Sequence, residues 1–179
     1  WKTIGDTIGG QVTKELLPGN YHFRMEHEGK TQQKNNINIE TNPTVTFQTI
    51  NVTIQLLESD NDPIEGAEAK YYASGWKTIG DTIGGQVTKE LLPGSYHFRM
   101  NYAGETQQQN NVDITTTPII TYQTGKVHSN TNNVTQYYAS GWKTFTQDME
   151  LLPDTYKFRY NDGTQKQFTI DAGIINYID

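Results

Sequence analysis

The chain contains an internal repeat, and a fixed repeat constrains the fold more strongly than any other feature of a sequence. Residues 1–50 align without gaps with residues 76–125, and 36 of the 50 positions are identical. The segment WKTIGDTIGGQVTKELLPG occurs twice without a single change. Each repeat is therefore expected to form one structural unit, and the architecture of one unit predicts that of the next.

A third, shorter copy follows the second. The sequence YYASGWKT at 71–78 recurs at 137–144, and ELLP at 90–93 recurs at 150–153. The third copy lacks the segment around the Ile-Gly-Gly turn. Because terminal repeats must present a finished surface to water, they are often atypical. We interpret the third copy as such a cap.

These alignments divide the chain into three parts: an incomplete first repeat at 1–50, a complete repeat at 51–125, and a divergent, shortened terminal repeat at 126–179. The first repeat lacks a counterpart of residues 51–75. We expect its opening strands to be supplied either by preceding residues of a longer chain or by another molecule. The near-identity of the first two repeats suggests a longer array.

Residues 51–125 predict short strands with alternating polarity. Val52, Ile54 and Leu56 alternate with polar residues, and Tyr96 begins a second run of the same kind. A period of two indicates strands with one buried face. The expected strands lie at 52–57, 67–73, 76–79, 86–92, 96–100, 112–114 and 120–122. Seven short strands separated by turns, with no helical period, indicate an all-β sandwich.

Two motifs resemble a known family. The run PIEGA at 63–67 and the pattern G-x-V-x-K-E-L-L-P-G-x-Y-x-F-R at 85–99 resemble the prealbumin-like sandwich repeats of bacterial surface proteins. These are similar to collagen-adhesin B-type and carboxypeptidase-regulatory-like domains. The resemblance covers one full repeat and parts of two others. It implies seven-stranded Greek-key β-sandwiches, Ig-like or prealbumin-like, arranged in tandem as a stalk or spacer that holds a head domain away from the cell wall.

The resemblance also implies a place for a covalent crosslink. Some relatives form a Lys–Asn isopeptide bond from a lysine on the first strand. The corresponding strand here, at 52–57, contains no lysine. We therefore expect no such crosslink in this repeat.

Composition excludes several functional classes. The net charge is −6, and no cluster of Lys or Arg provides the basic surface that nucleic acids require. No apolar run approaches the length needed for membrane insertion. The chain has no cysteine, which excludes disulfides and thiolate chemistry. No motif for acid–base, metal or nucleophilic catalysis is present, so we expect no catalytic residues and a non-enzymatic, extracellular or cell-surface protein.

Tryptophan and tyrosine recur at equivalent positions, with Trp1, Trp76 and Trp142 each at the start of the same motif. One hypothesis is a sugar-binding platform, because aromatic rings stack on the C–H groups of pyranoses. The alternative is burial, with one tyrosine of each pair facing inward and the tryptophan filling the end of the sandwich. The ligand candidates of the first hypothesis are Tyr72, Trp76, Tyr138 and Trp142.

Basic residues alternate with the apolar face of one strand. His97 and Arg99 lie on its outward side, His22 and Arg24 correspond to them in the first repeat, and the third repeat has lysine and arginine there. They indicate either a stripe for an anionic ligand or a solvated sheet face that contacts the next repeat. No carboxylate or nucleophile accompanies them in the sequence.

A polar loop and two sequons complete the candidates. Glu58, Asp60 and Asp62 could supply oxygen ligands to Ca²⁺, but they lack the ordered spacing of a calcium loop. Asp and Asn also form turns by bonding their own backbone, which favours a turn without a metal or cofactor. Asn51 and Asn133 each begin an Asn-x-Thr sequon for glycosylation.

Three functional hypotheses remain open. The first is a stalk or fibre in which each repeat contacts neighbouring repeats of the same protein. The second is an adhesin module whose repeated Trp and Tyr residues bind surface glycans or matrix with avidity. The third is a filament whose identical subunits exchange strands, with the segment 168–178 completing the first repeat of a neighbour.

Overall fold

The computed structural model describes all residues from Trp1 to Asp179 and is entirely β, with sixteen strands and no helix. No helix is therefore available to cross a membrane. The chain forms two compact units. Unit 1 comprises Trp1–Glu26 and Thr31–Phe47, and unit 2 comprises His27–Lys30 and Gln48–Asp179. The all-β prediction is confirmed.

Unit 1 contains most of a two-stranded sheet formed by β1 (Asn20–His27) and β2 (Lys30–Asn38). Its apolar residues lack a covering layer. Leu16 and Leu17 are 39% and 80% exposed, whereas the equivalent Leu91 and Leu92 of unit 2 are 0% and 2% exposed. The two copies have identical local sequence, so the difference arises from which strands cover them.

Residues 50–124, which we call the central sandwich, form seven strands in two sheets. The strands are β3 (Ile50–Leu57), β4 (Glu68–Tyr72), β5 (Trp76–Asp81), β6 (Gln86–Leu91), β7 (Ser95–Tyr102), β8 (Glu105–Asp113) and β9 (Ile119–Gln123). The sheet orders are β6-β3-β9 and β5-β4-β7-β8. All seven predicted strands are present, and most of their ends differ from the prediction by one or two residues. The exception is β8, which begins seven residues before the predicted start at 112.

Residues 125–179, the C-terminal sandwich, have the same arrangement. The strands are β10 (Gly125–His128), β11 (Val134–Tyr138), β12 (Trp142–Thr144), β13 (Met149–Leu151), β14 (Asp154–Tyr160), β15 (Gln165–Ile170) and β16 (Ile175–Tyr177). The sheet orders are β13-β10-β16 and β12-β11-β14-β15. In both sandwiches the first strand pairs in parallel with the last strand, and the other paired strands are antiparallel.

Alternating residues of these strands form the two cores. Ile54 and Phe98 are fully buried in the central sandwich, and Phe158 is fully buried in the C-terminal one. Leu152, from the C-terminal sandwich, belongs to the core cluster of the central sandwich. The hydrophobic layer is therefore continuous between the two sandwiches.

The LLP-x-x-Y motif has a defined structural role in every copy. The hydroxyl of Tyr96 donates to the carbonyl of Leu92 at 2.8 Å, and that of Tyr156 donates to the carbonyl of Leu152 at 2.7 Å. Tyr21 makes the same bond in unit 1. Burial raises the pKa of Tyr96 to about 12. The bond closes the turn and satisfies a hydroxyl that would otherwise be buried without a partner.

Candidate functional site

An aromatic and cationic cluster covers the outer face of the sheet β5-β4-β7-β8. The guanidinium carbon of Arg99 lies 3.8 Å from the ring centroid of Trp76. Tyr72 meets Trp76 edge-on at 5.5 Å between ring centroids, and His97 packs on the other side of Tyr72 at 6.1 Å. These four residues and Gln108 line a shallow depression.

Strand pairing positions this cluster. Tyr72 lies between Trp76 on β5 and His97 on β7, with which it is in register. Because side chains alternate along β4, Tyr71 points inward and is fully buried while Tyr72 is 43% exposed. A hydrogen bond also fixes the guanidinium of Arg99, whose Nε donates to the side-chain oxygen of Gln108 at 2.7 Å.

The cluster recurs in the other copies. In the C-terminal sandwich Arg159 lies 3.8 Å from the ring centroid of Trp142, and Tyr138 meets that tryptophan edge-on at 5.4 Å. In unit 1 the guanidinium of Arg24 lies 5.1 Å from the centroid of Trp1. The arrangement is thus a property of the repeated sequence.

The burial interpretation of these aromatics made two predictions, one for the tyrosines and one for the tryptophan. The prediction that one tyrosine of each pair faces inward is confirmed, since Tyr71 and Tyr137 are buried and Tyr72 and Tyr138 are exposed. The prediction that the tryptophan fills the end of the sandwich is wrong, because Trp76 is half-buried on the outer face.

Cation–π stacking limits the chemistry of the cluster. Arg99 covers one face of the Trp76 ring, so this face is not available for stacking on a sugar. The exposed ring of Tyr72 and the remaining guanidinium N–H groups are the parts open to a ligand. His97 shares a hydrogen bond of 2.8 Å with Asn110. The cluster is suited to stabilising the sheet face and to contacting a polar surface.

A second feature is the junction between the two sandwiches, formed by Ser59, Thr124 and Glu150. Glu150 on β13 is 7% exposed. Its carboxylate accepts hydrogen bonds from the hydroxyl of Thr124 at 2.6 Å and from the hydroxyl and backbone N–H of Ser59 at 2.8 and 3.2 Å. No lysine or arginine forms an ion pair with it. Three donors from the central sandwich therefore satisfy a buried charge of the C-terminal one.

The junction also affects a nearby carboxyl group. Glu58 precedes Ser59 at the end of β3 and is half-buried. Burial, and secondarily the negative charge of Glu150, raises the pKa of Glu58 above its ordinary value. The two acidic groups thus repel each other across the junction.

The β7–β8 turn strengthens the same contact. Ala103 and Gly104 both have positive φ, 52° and 91°, as a two-residue hairpin turn requires. The carbonyl of Ala103 accepts a hydrogen bond from Tyr137 at 2.9 Å, and that of Gly104 accepts one from Ser140 at 2.9 Å. Both donors belong to the C-terminal sandwich.

The equivalent β1–β2 turn, part of unit 2, contacts the central sandwich in a related way. Tyr71, the counterpart of Tyr137, donates to the Glu28 carboxylate at 2.7 Å. Lys89 pairs with the same carboxylate at 2.6 Å. Hydrogen bonding from Lys89, and then from Tyr71, lowers the pKa of Glu28. In both places, therefore, a residue of a hairpin turn accepts a hydrogen bond from the tyrosine that follows it in the next repeat: Glu28 from Tyr71, and Ala103 from Tyr137.

The polar loop at 58–62 is a turn. The backbone N–H of Asp62 donates to the Asp60 carboxylate at 3.3 Å, and Asn61 has a φ of 75°. No group of three or more His, Asp or Glu side chains is placed to hold a metal ion. Glu58, Asp60 and Asp62 thus form a backbone-closing loop, and the structure does not assemble them into the calcium site considered from the sequence.

The two sequon asparagines lie in different settings. Asn51 is exposed on β3, opposite Glu90. Asn133 is exposed just before β11, and its side-chain oxygen accepts a hydrogen bond from Asn161 at 3.0 Å. Both side chains are accessible to modification, although that of Asn133 is hydrogen-bonded to Asn161.

Sequence reasoning missed the junction residues. ELLP is identical at 90–93 and 150–153, yet Glu90 is exposed and Glu150 is buried. A recurring threonine could have pointed to these glutamates. Thr49 donates to Glu90 at 3.1 Å, and Thr124 donates to Glu150 in the same way. Both threonines follow a Gln in the same Thr-x-Gln-Thr motif.

No family model and no curated protein matches the chain. A solved structure of the Bacillus anthracis TIE protein is similar with a TM-score of 0.32 and 12% identity, over 73% of this chain and 33% of that chain. The chain spans one third of that protein structure, and a TM-score this low does not define a shared fold.

Proposed function

We propose that the chain is a structural repeat region, a stalk or spacer of a secreted or cell-surface protein, and that it displays other domains without catalysing a reaction. In this proposal the sandwiches are tandem seven-stranded Greek-key repeats of the prealbumin-like type. The partners of each repeat are the neighbouring repeats of the same protein. The single observation that supports this function best is the junction between the central and C-terminal sandwiches.

A spacer must hold its ends apart, so its modules must not rotate freely about their connection. Here Thr124 alone separates β9 from β10, which leaves no flexible linker. The residue is fully buried and bonded to Glu150. Leu152 adds apolar contact, and the β7–β8 turn adds two hydrogen bonds. Contacts of this kind favour a fixed orientation of consecutive modules.

Rotational diffusion tests the proposal. Backbone ¹⁵N relaxation should give the same correlation time and diffusion axes for amides of residues 50–124 and 125–179. A matched control carries a Gly-Ser-Gly insertion between Thr124 and Gly125, and this should uncouple the two sets. If the native chain already tumbles as two bodies, the spacer function loses its support.

A second candidate function is supported by the exposed apolar residues of unit 1. Phe23 is half-buried and Leu17 is 80% exposed, whereas the equivalent Phe98 and Leu92 are buried in the central sandwich, which includes strands β3 and β4. No counterpart of these two strands lies in residues 1–47. We infer that this face accepts a strand pair with the pattern of residues 50–73 that is not already paired in a sandwich of its own.

The donor cannot be the segment 168–178 without unfolding its own sandwich. Ile170 and Ile178 are fully buried there, and β16 pairs with β10. The filament hypothesis based on this segment therefore needs a different donor. A sequence of the β3–β4 type fits the face, provided that it is not already buried in a sandwich of its own, as residues 50–73 are here.

A peptide tests this second function. A synthetic peptide of residues 50–73 should bind the intact chain with one-to-one stoichiometry by calorimetry. A peptide with Ile54→Asp should bind about tenfold or more weakly, because it would bury an unpaired charge. The chain variant Phe23→Ser should lose binding while unit 2 remains folded. Equal binding of both peptides would refute a specific strand acceptor.

A further inference from the structure

The first and last strands of each sandwich in unit 2 are parallel neighbours. In the central sandwich β3 pairs with β9 over five residue pairs, from Thr53↔Ile119 to Leu57↔Gln123. In the C-terminal sandwich β10 pairs with β16 over three residue pairs, from Lys126↔Ile175 to His128↔Tyr177. The chain enters each sandwich on one of these strands and leaves on the other.

This pairing determines how tension acts on the fold. Tension along the chain pulls the start of β3 and the end of β9 in opposite directions. Since the two strands are parallel, the pull runs along the strands and loads all the bonds between them together. An antiparallel pair pulled from its open end separates one bond at a time instead, because each bond is loaded only after the previous one has broken.

We propose that β3–β9 and β10–β16 are two mechanical clamps in series, and that the C-terminal sandwich is the weaker one and unfolds first under tension. Thr124 connects β9 directly to β10, so the same force passes through both clamps. The two clamps give the chain a force-bearing function and an order of rupture, whether or not it serves as a spacer.

The central clamp is reinforced at both ends. The N–H of Thr53 donates to the Pro118 carbonyl at 2.9 Å, and the N–H of Thr124 donates to the Leu57 carbonyl at 2.9 Å. Between them the side chain of Gln55 donates to the hydroxyl of Thr121 at 2.8 Å. One face of this clamp is dry, since its inward residues are fully or almost fully buried: Ile54, Leu56, Ile120 and Tyr122.

The C-terminal clamp is shorter. Its backbone bonds beyond the paired residues are Lys126 N–H to the Ile174 carbonyl at 3.0 Å and Ile178 N–H to the His128 carbonyl at 3.1 Å. Its outward residues Ile175 and Tyr177 are about as exposed as the outward Ile119 of the central clamp, so the two clamps differ mainly in length. With three residue pairs instead of five, fewer bonds share the load, which lowers the force that the C-terminal clamp resists.

Single-molecule force spectroscopy tests the clamps on the whole chain. The chain contains no cysteine, so handles attach specifically to the exposed position Gln48→Cys and to a cysteine added after Asp179. This places unit 1 outside the path of the force. The first event should lengthen the chain by up to about 190 Å (residues 125–179), and the second by up to about 260 Å (residues 50–124), at roughly 3.5 Å per residue.

A second pulling geometry serves as the matched control. Handles at Gln48→Cys and Glu90→Cys pull the antiparallel pair β3 and β6 from its open end, where Ile50 faces Leu91. The central sandwich should then open at a several-fold lower force than under end-to-end tension. Equal forces in the two geometries would overturn the clamps. A first event of the longer length, or one event of the combined length, would overturn the order of rupture.

Discussion

The buried carboxylate of Glu150 gives the most specific prediction for the junction. Replacing it by alanine removes the acceptor of three hydrogen bonds, from the Thr124 hydroxyl and from two groups of Ser59. The Thr124 hydroxyl can still donate to the Leu57 carbonyl, 3.2 Å away. Ser59 is half-buried, so water can reach its groups. The loss is therefore smaller than for three fully buried bonds.

The magnitude follows from these contacts. Two bonds between Ser59 and a charged acceptor, partly replaced by water, account for about 1 kcal/mol each. The free energy of unfolding should fall by about 2 kcal/mol, which lowers Tm by about 4–8 °C for a chain of this size. The central and C-terminal sandwiches should also separate into two transitions, because Glu150 connects them.

Glu90 supplies the matched control. It occupies the same place in the ELLP motif, is exposed, and accepts one side-chain bond, from Thr49 at 3.1 Å. Glu90→Ala should change the free energy of unfolding by less than about 0.5 kcal/mol. Urea titration monitored by tryptophan fluorescence, with scanning calorimetry of the same samples, measures both variants. Equal effects of the two substitutions, or no loss of cooperativity in Glu150→Ala, would refute the reasoning.

Three further predictions concern the turn, the acidic pair and the aromatic cluster. Gly104→Ala should cost about 1–3 kcal/mol more than Gly163→Ala in urea titration, because both strain a positive φ but only the first places a Cβ 2.9 Å from a backbone oxygen of the C-terminal sandwich. Since its pKa is raised in the folded state, Glu58 destabilises the fold as pH rises above the ordinary value of 4.5. Glu58→Gln should therefore raise the free energy of unfolding at pH 7 and flatten its fall between pH 4.5 and 7, and an unchanged pH profile would contradict this. Arg99→Ala should cost about 0.5–1 kcal/mol and shift the emission of Trp76, and a loss of several kcal/mol would show that the stack is part of the core.

The strands were predictable because their pattern is local. Alternation placed Ile54 and Phe98 inward and Arg99 outward, and the structure agrees on all three. The predicted strands at 96–100 and 112–114 also required a turn between them, and the structure has it at Ala103 and Gly104. Such features depend on residues close together in the chain.

The features that sequence could not predict depend on distant residues. Trp76 lies on the outer face because Arg99, two strands away, covers its ring. Glu90 and Glu150 have the same neighbours in sequence, and only donors from another part of the chain bury the second. The calcium hypothesis for Asp60 and Asp62 found no support, because the Asp60 carboxylate accepts a bond from the backbone of its own turn and no group of three ligands is assembled there. Tertiary contacts of this kind leave no periodic signal.

The rigidity of the junction is the central claim, and a distance distribution tests it most directly. Thr78 and Thr144 are equivalent, exposed positions of the central and C-terminal sandwiches, and the absence of native cysteine allows specific spin labelling of both after substitution by cysteine. Pulsed electron paramagnetic resonance should give one narrow distance distribution, which broadens when Gly-Ser-Gly is inserted after Thr124. A distribution that is already as broad in the native chain as in the insertion variant would contradict a fixed junction.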